Sequence, residues 1–356
     1  MTKAVSLLFL LLLFQNYIYT QNSCSKSNEE WEVFPILNYD TDVGFGYGGK
    51  GFLYNFLNTK ESFDITAYNS TKGERWYRLV FSIPDMQRRQ GKKYDLALDL
   101  IIDYDKWINH KYYFNSDDPC LNDSLAKFQG TNENYIKEPI EIITNLSSAI
   151  RKDFIIDLGI KFKSISCYNF EFDGQLQYCR PTEVRHLSLI FSLRFDTRSD
   201  FLSPNKGIMI KIDNEIARDI LKGEENFFKV GFTLQSYLNL GYLNMVLATR
   251  LILQKMSDSP YQNLFSMGGN NSIRGLPQDR YLTSSLMLLN EELRFPIFWK
   301  LGGIVGADIG YGEQTEGGII NPVVGLRLYM NNFIVRADLG FGKKSIGFYF
   351  NFGHLF

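Results

Sequence analysis

Hydrophobic and polar residues alternate with a period of two along most of the chain. In 94–102, Tyr94, Leu96, Leu98, Leu100 and Ile102 fall on one face and Asp95, Ala97, Asp99 and Ile101 on the other. In 187–195 the odd positions are all Leu or Phe, while His186, Ser188, Ser192, Arg194 and Asp196 point the opposite way. Ile208, Ile210 and Ile212 oppose Lys211 and Asp213, and Phe333, Val335, Ala337 and Leu339 oppose Arg336 and Asp338. Such alternation marks strands with different surroundings on their two faces.

Soluble sandwich strands alternate too, but they typically run about 5–6 residues. These run about 9–13 residues, the length of a tilted strand crossing a bilayer. Full charges occupy the centres of the polar faces, as a wet lumen permits, and the other faces carry large apolar side chains, as lipid requires. Sixteen segments qualify, near 43–54, 60–69, 74–84, 93–103, 107–115, 134–147, 152–165, 184–196, 206–217, 226–239, 242–255, 284–295, 300–311, 319–330, 332–341 and 345–356. The expected fold is therefore all-β: a transmembrane antiparallel β-barrel of about 16 strands. The long polar connections at 115–133 and 256–283 read as extracellular loops.

The terminal segment is the sharpest. Ile346, Phe348, Phe350, Phe352 and Phe356 are read as one apolar face, with His354 between them. Phe348, Phe350, Phe352 and Phe356 are the expected assembly signal, by which barrel assembly machinery recognises the strand during biogenesis.

Composition narrows the class. The 29 Phe, 21 Tyr and 29 Gly against 10 Pro suit strands and turns, and 38 basic against 39 acidic residues give no electrostatic case for nucleic-acid binding. Lys3 followed by the apolar run 4–14 reads as a signal peptide, with a core too short to span a bilayer. Cleavage is placed near 20–22. Cys24 raises a lipoprotein alternative, but Gln21, Asn22 and Ser23 before it make a poor lipobox. The expected organisation is signal peptide 1–22, a short N-terminal segment 23–42 and the barrel 43–356, in the cell outer membrane, facing outer-membrane lipids and lipopolysaccharide.

Little conventional site chemistry stands out. Cys167 and Cys179 flank a polar loop and either close it as a disulfide or remain thiols. Asp95, Asp99 and Asp103 form either a cation site or a hydrated acidic wall. The three histidines are scattered, and no metal site, cofactor motif or catalytic constellation is expected. The chain is not expected to be an enzyme.

Three stretches carry more. They are GGNNSIRGL at 268–276, NEELRFPIF at 290–298 and GADIGYG at 306–312. With FDTRSDFLSPNKG at 195–207 and FPILNYDTDVGFGYGG at 34–49, they resemble, in order and in strand position, the barrel domain of the BamA/TamA superfamily, the bacterial surface antigen proteins. The resemblance implies that the loop after strand 11 folds into the lumen and carries an Arg-Gly motif, here Gly268, Gly269, Ile273, Arg274 and Gly275. It also implies that Glu292 and Asp308, on lumen-facing parity, hold Arg274. Ile273 and Leu276 depart from the usual Leu or Val and aromatic, and Gly306 from a usual Phe. By parity Glu291 points towards lipid, where a carboxylate is costly, unless it lies near the interface or a bulge shifts the register.

Only about 20 residues are expected between the signal peptide and the first strand, too few for the POTRA domains that assembly factors carry before the barrel. The function implied is a POTRA-less role in outer-membrane biogenesis, or in inserting or translocating protein or lipid, with a periplasmic partner protein. The alternatives are a passive, porin-like channel with the loop as a plug, and a surface-exposed antigen.

Overall fold

The computed structural model describes residues 29–111, 134–172, 175–176, 182–220, 226–241, 243–257, 261–313, 315, 317–330 and 333–356. Sixteen antiparallel strands form the wall. They are β1 (Glu30–Asp40), β2 (Gly44–Tyr54), β3 (Ser62–Ser70), β4 (Glu74–Ile83), β5 (Tyr94–Lys111), β6 (Asn134–Arg151), β7 (Phe154–Phe172) and β8 (Thr182–Asp196). They continue with β9 (Gly207–Asp219), β10 (Phe227–Asn239), β11 (Val246–Met256), β12 (Ser285–Phe298), β13 (Leu301–Gly312), β14 (Ile319–Tyr329), β15 (Ile334–Phe341) and β16 (Ile346–Phe352). Each strand pairs with its sequence neighbours, and β16 pairs back to β1, closing the barrel. Closure matters because in hydrocarbon an unpaired sheet edge would leave main-chain groups without hydrogen bonds. No helix among the described residues is long and apolar enough to cross a membrane.

Side-chain parity follows the pleat. Leu187, Leu189, Phe191 and Phe195 are exposed on the outer face of β8, while His186, Ser188, Ser192 and Asp196 are buried on the inner one. On β16, Phe348 and Phe352 face out and Tyr349 faces in.

Two boundaries differ from the sequence expectation. Glu30–Asp40 is not a leader before the barrel; it is the first strand, paired along its whole length with β2. Its alternation is blurred, because Phe34 on the inner parity is itself 40% exposed and apolar residues occupy both faces. Conversely, no separate strand starts near residue 107: β5 runs on from Tyr94 to Lys111 through a register shift between Trp107 and His110. A bulge re-aims side chains without ending a strand, so periodicity alone breaks there. The two differences cancel in the total of sixteen.

The wall is uneven. β5, β6 and β7 are 18, 18 and 19 residues long, whereas β15 has 8 and β16 has 7. A crossing needs about 9–11 residues, so the long strands project beyond the bilayer and the last two fall short of spanning it. One rim carries the two longest connections, 112–133 and 257–284; on the other no connection exceeds ten residues, and the start of β1 and the end of β16 lie there. Long loops mark the extracellular rim and short turns the periplasmic one.

Candidate functional site: an arginine cluster inside the barrel

The connection 257–284 leaves β11 at the extracellular rim and turns into the lumen. A small hairpin, Phe265–Met267 paired with Tyr281–Thr283, forms its neck. Phe265, Met267 and Ile273 pack with Met256, Leu286 and Leu288 of the wall. Gly268 and Gly269 take φ of 128° and 82°, and Gly275 takes 91°, values that suit glycine. At Gly275 close approach matters as well: a Cβ there would lie 2.7 Å from the Gly340 carbonyl carbon, so loop main chain touches wall main chain. Gly310 similarly makes room for Ile273.

This packing delivers Arg274, fully buried, to the inner wall. Its Nε and Nη2 donate to the two carboxylate oxygens of Asp308, each at 2.9 Å. Nη1 donates to Glu292 at 2.8 Å and to Asp338 at 2.9 Å. The Arg274 main-chain N–H also donates to Asp308 at 2.9 Å, and its carbonyl accepts from Asn321 Nδ2 at 2.9 Å. Gly275 N–H donates to the Tyr349 hydroxyl at 3.0 Å, and Ser345 donates to the Gly275 carbonyl. One dipeptide thus fastens β12, β13, β14, β15 and β16. A planar guanidinium with fixed donor directions suits three carboxylates approaching from different sides; an ammonium would not reproduce it.

Sequence reading joined Glu292 and Asp308 to Arg274; it put Arg336 and Asp338 on a polar strand face without joining them to the loop, and it connected none of the surrounding arginines with the three acids. Arg327 donates to both oxygens of Asp338, with Nη2 3.3 Å from one, and lies 3.4 Å from Glu292. Arg294 Nε donates to Glu292 at 3.1 Å. Arg336 donates to Asn270 of the loop at 2.7 Å. Arg250 donates to Asn290, which donates in turn to Asp308 at 2.7 Å. Parity puts Arg336 and Asp338 on the polar face of their strand, and the same reasoning could have found Arg327. What parity cannot give is the inter-strand register that brings them together.

The end of the chain differs from expectation. β16 stops at Phe352, and Gly353, at φ 79°, turns the last residues inward. Phe356 therefore does not share the outer face of Phe348 and Phe352. It packs in the lumen against Tyr237, Val246 and Ala248. The Arg250 and Arg294 guanidinium carbons each lie 5.2 Å from its ring centroid. Arg294 Nη2 donates to the Phe356 main-chain oxygen at 2.9 Å. Inside, two cations and a partly covered apolar patch receive an aromatic ring that would otherwise meet lipid alone. The loop from one rim and the tail from the other meet at Arg250, whose Nη2 donates to Asn271 of the loop at 2.8 Å and Nη1 to Leu355 at 3.4 Å.

Other sequence candidates fall elsewhere. Asp99 is held by Arg89 through both carboxylate oxygens, and Asp103 accepts from Trp76 Nε1 at 2.7 Å and lies 3.5 Å from Arg78. Asp99 and Asp103 are thus charge-paired and Asp95 is exposed, and among the described residues the three do not form a group that could hold a metal ion. Cys167 is buried on β7; Cys179, and with it the Cys167–Cys179 pairing, lies outside the described residues.

Beside the filled part of the lumen, a cavity of about 450 Å³ remains, lined by Arg89, Asp99, Asp157, Arg194, Asp213 and Glu215 among others.

Comparison with known proteins agrees with this geometry. No curated protein matches in sequence. Among solved structures, the chain superposes on BamA from Haemophilus ducreyi lacking POTRA domains 1-3 with a TM-score of 0.66 and 12% identity, covering 94% of this chain and 74% of that one. It matches CdiB from Escherichia coli with a TM-score of 0.63 and 13% identity over 91% of this chain and 63% of that one. CdiB from Acinetobacter baumannii gives 0.57 and 15% over 92% and 60%. The chain thus spans less than two thirds of either CdiB chain, and identities this low carry the fold alone. The sequence model of the Omp85 superfamily domain matches residues 55–318, most of the barrel and the whole inserted loop, and this outer-membrane chain belongs to that superfamily.

Proposed function

We propose that this barrel inserts polypeptide into the outer membrane, or passes it across, by parting between β1 and β16. The observation that carries the reading is the seam. β1 pairs with β2 from Glu30 to Asp40 but with β16 only at Tyr39 and Asp40, helped by Thr41 N–H to Phe348 O at 3.1 Å. Among the described residues the rest of the β1 edge has no strand partner, which makes it a ready template for an incoming strand. Short β15 and β16 add to this, because a wall too short for the bilayer thins the lipid beside it. The lumen is occupied by loop and tail, which favours a lateral route over simple conduction.

On this reading the chain is exported by its first residues and is itself recognised for assembly through Phe348, Phe350 and Phe352. It contacts outer-membrane lipid and lipopolysaccharide, and takes its client from a periplasmic partner. The activity is non-enzymatic and needs no cofactor. The charged cavity beside the loop favours a second reading, a small passive channel.

The test replaces Tyr39 and Phe350, which face each other across the seam, by cysteines in a chain whose native cysteines are changed to alanine. In lipid vesicles, the reduced protein should speed insertion of an unfolded outer-membrane barrel client. Oxidation should stop this, and reductant should restore it. Steady conductance with client insertion unchanged by the crosslink would overturn the proposal in favour of the channel.

A further inference from the structure

The outer wall holds one row of residues that does not suit lipid. Ladder pairing places Ser236 beside Thr249, Thr249 beside Glu291, Glu291 beside Ala307 and Ala307 beside Pro322. All five face outward, because their strand neighbours Tyr237, Ala248, Arg250, Glu292, Asp308 and Asn321 are buried on the lumen side. The row crosses β10 to β14, about 19 Å at the usual strand spacing of roughly 4.8 Å. Two unbroken aliphatic rows flank it. One runs Leu234, Leu251, Leu289, Ile309, Ile320, and the other Leu238, Leu247, Leu293, Val305, Val324. The result is a shallow trough between two ridges, with a carboxylate at its centre.

No register shift interrupts β12 on either side of Glu291; the irregularity lies beyond, between Pro296 and Phe298. Nor is Glu291 at an interface. It sits midway between Met287, level with the exposed Tyr311 at one rim, and Phe295, near the exposed Phe298 and Trp299 at the other. Headgroups are out of its reach. One oxygen accepts from Thr249 Oγ1 at 2.9 Å, and the trough leaves the other open to the outside. A carboxylate facing hydrocarbon costs stability unless something in the membrane answers it.

A second copy of this chain does not answer it. Among the described strand residues, the outward-facing basic side chains, Arg75, Lys106, Arg185, Arg218 and Lys255, all stand towards the extracellular rim. Neither the inserted loop nor the seam approaches this face.

We propose that the trough over β10–β14 is a docking site for the membrane-spanning segment of another protein, which places a lysine or arginine against Glu291. Charge complementarity selects the partner, the small side chains of Ser236, Thr249 and Ala307 let it approach closely, and the leucine ridges hold it on both sides. Close backbone approach and a polar contact are the forces that join segments in lipid, where apolar burial contributes little.

The test uses the full chain, carrying a dye at a cysteine introduced in the 240–245 turn, its native cysteines changed to alanine. It is reconstituted in phosphatidylcholine vesicles. The probes are two acceptor-labelled polyleucine transmembrane helices, one with a single central lysine and one without. The lysine helix should associate about five-fold more strongly than the plain one, the scale of one polar contact in lipid. Glu291→Leu should abolish the difference, and Glu291→Gln should keep only part of it. Glu291→Leu should also fold, with a midpoint of heat-modifiable unfolding at or above that of the native chain, which separates loss of the site from loss of the barrel. Equal association of the two helices, or a preference for lysine that survives Glu291→Leu, would overturn the proposal. So would Glu291-dependent energy transfer between copies without any peptide, which would assign the trough to self-association.

Discussion

The last five strands and the seam beside them are held in opposite ways. From β12 to β16 every strand is tied to the inserted loop: Glu292, Asp308 and Asp338 through Arg274, Asn321 through its carbonyl, Tyr349 through Gly275. One strand further round, β16 meets β1 at Tyr39 and Asp40 only. The same strand is thus braced on its inner face and nearly loose at its edge. A wall built this way yields in one place: strain from a client falls on the seam, while the loop keeps β12 to β16 moving as a unit. The contrast also gives the buried charges a role other than stability, since well-packed apolar side chains can replace a buried ion cluster at little cost, but not with a defined geometry.

The largest effect should come from breaking the brace. Arg274→Ala leaves Glu292, Asp308 and Asp338 facing one another with their shared cation gone. Removing one partner of a buried ion pair costs about 3–5 kcal/mol. Most of that should appear as release of the loop, since the wall keeps its ladder hydrogen bonds. In purified, folded barrel, protease should cut 257–284 far faster than in the native chain. Arg274→Lys should behave nearly as badly, because one ammonium cannot span three carboxylates. A lysine variant as resistant as the native protein would show that the brace needs only charge.

A somewhat smaller effect is expected from the glycine contact. Gly340→Ala would put a Cβ 2.3 Å from the Arg274 carbonyl carbon, against main chain that cannot swing aside. The loop tip must lift, lengthening the bonds to Asp308 and Tyr349. Partial loop proteolysis with an intact barrel is the expected outcome. Gly51→Ala, on β2 away from the loop, should have no effect, as a Cβ there meets nothing within 4 Å.

How much of this was legible in the sequence follows from the same contrast. Alternation gives the faces of strands such as β8 and β9, because lipid and water impose opposite demands on successive residues. The loop motif could be read because Gly268, Gly269, Ile273, Arg274 and Gly275, with the segments around them, resemble the family's barrel in order and strand position. β1 could not be read: Trp31, Val33, Phe34 and Ile36 put apolar residues on both faces of a strand whose edge and lumen side are partly open. Asp338 could be assigned to the lumen but not to Arg274, since that takes the register of three ladders. Phe356 was misplaced because a strand pattern carries no sign of where the strand ends; Gly353 was the available signal.

That last residue gives the mildest and most discriminating prediction. If Phe356 lay on the lipid face, its loss would weaken membrane insertion much as loss of Phe350 would. Phe350 is on the outward parity of β16, where an arginine is expected to cost about 2–4 kcal/mol near the midplane. Phe350→Arg should therefore block heat-modifiable folding. Phe356 instead fills a lumen pocket beside Tyr237 and caps the guanidinium groups of Arg250 and Arg294. Phe356→Ala should leave the barrel folded and inserted. It loses only ring packing and two cation–π contacts, each about 0.5–1 kcal/mol where water can enter. The change should loosen Arg250, the residue that touches both tail and loop, so loop proteolysis should rise slightly while the unfolding midpoint barely moves. Phe356→Ala failing to fold as Phe350→Arg does would return the terminal ring to the lipid face and remove the tail from the lumen.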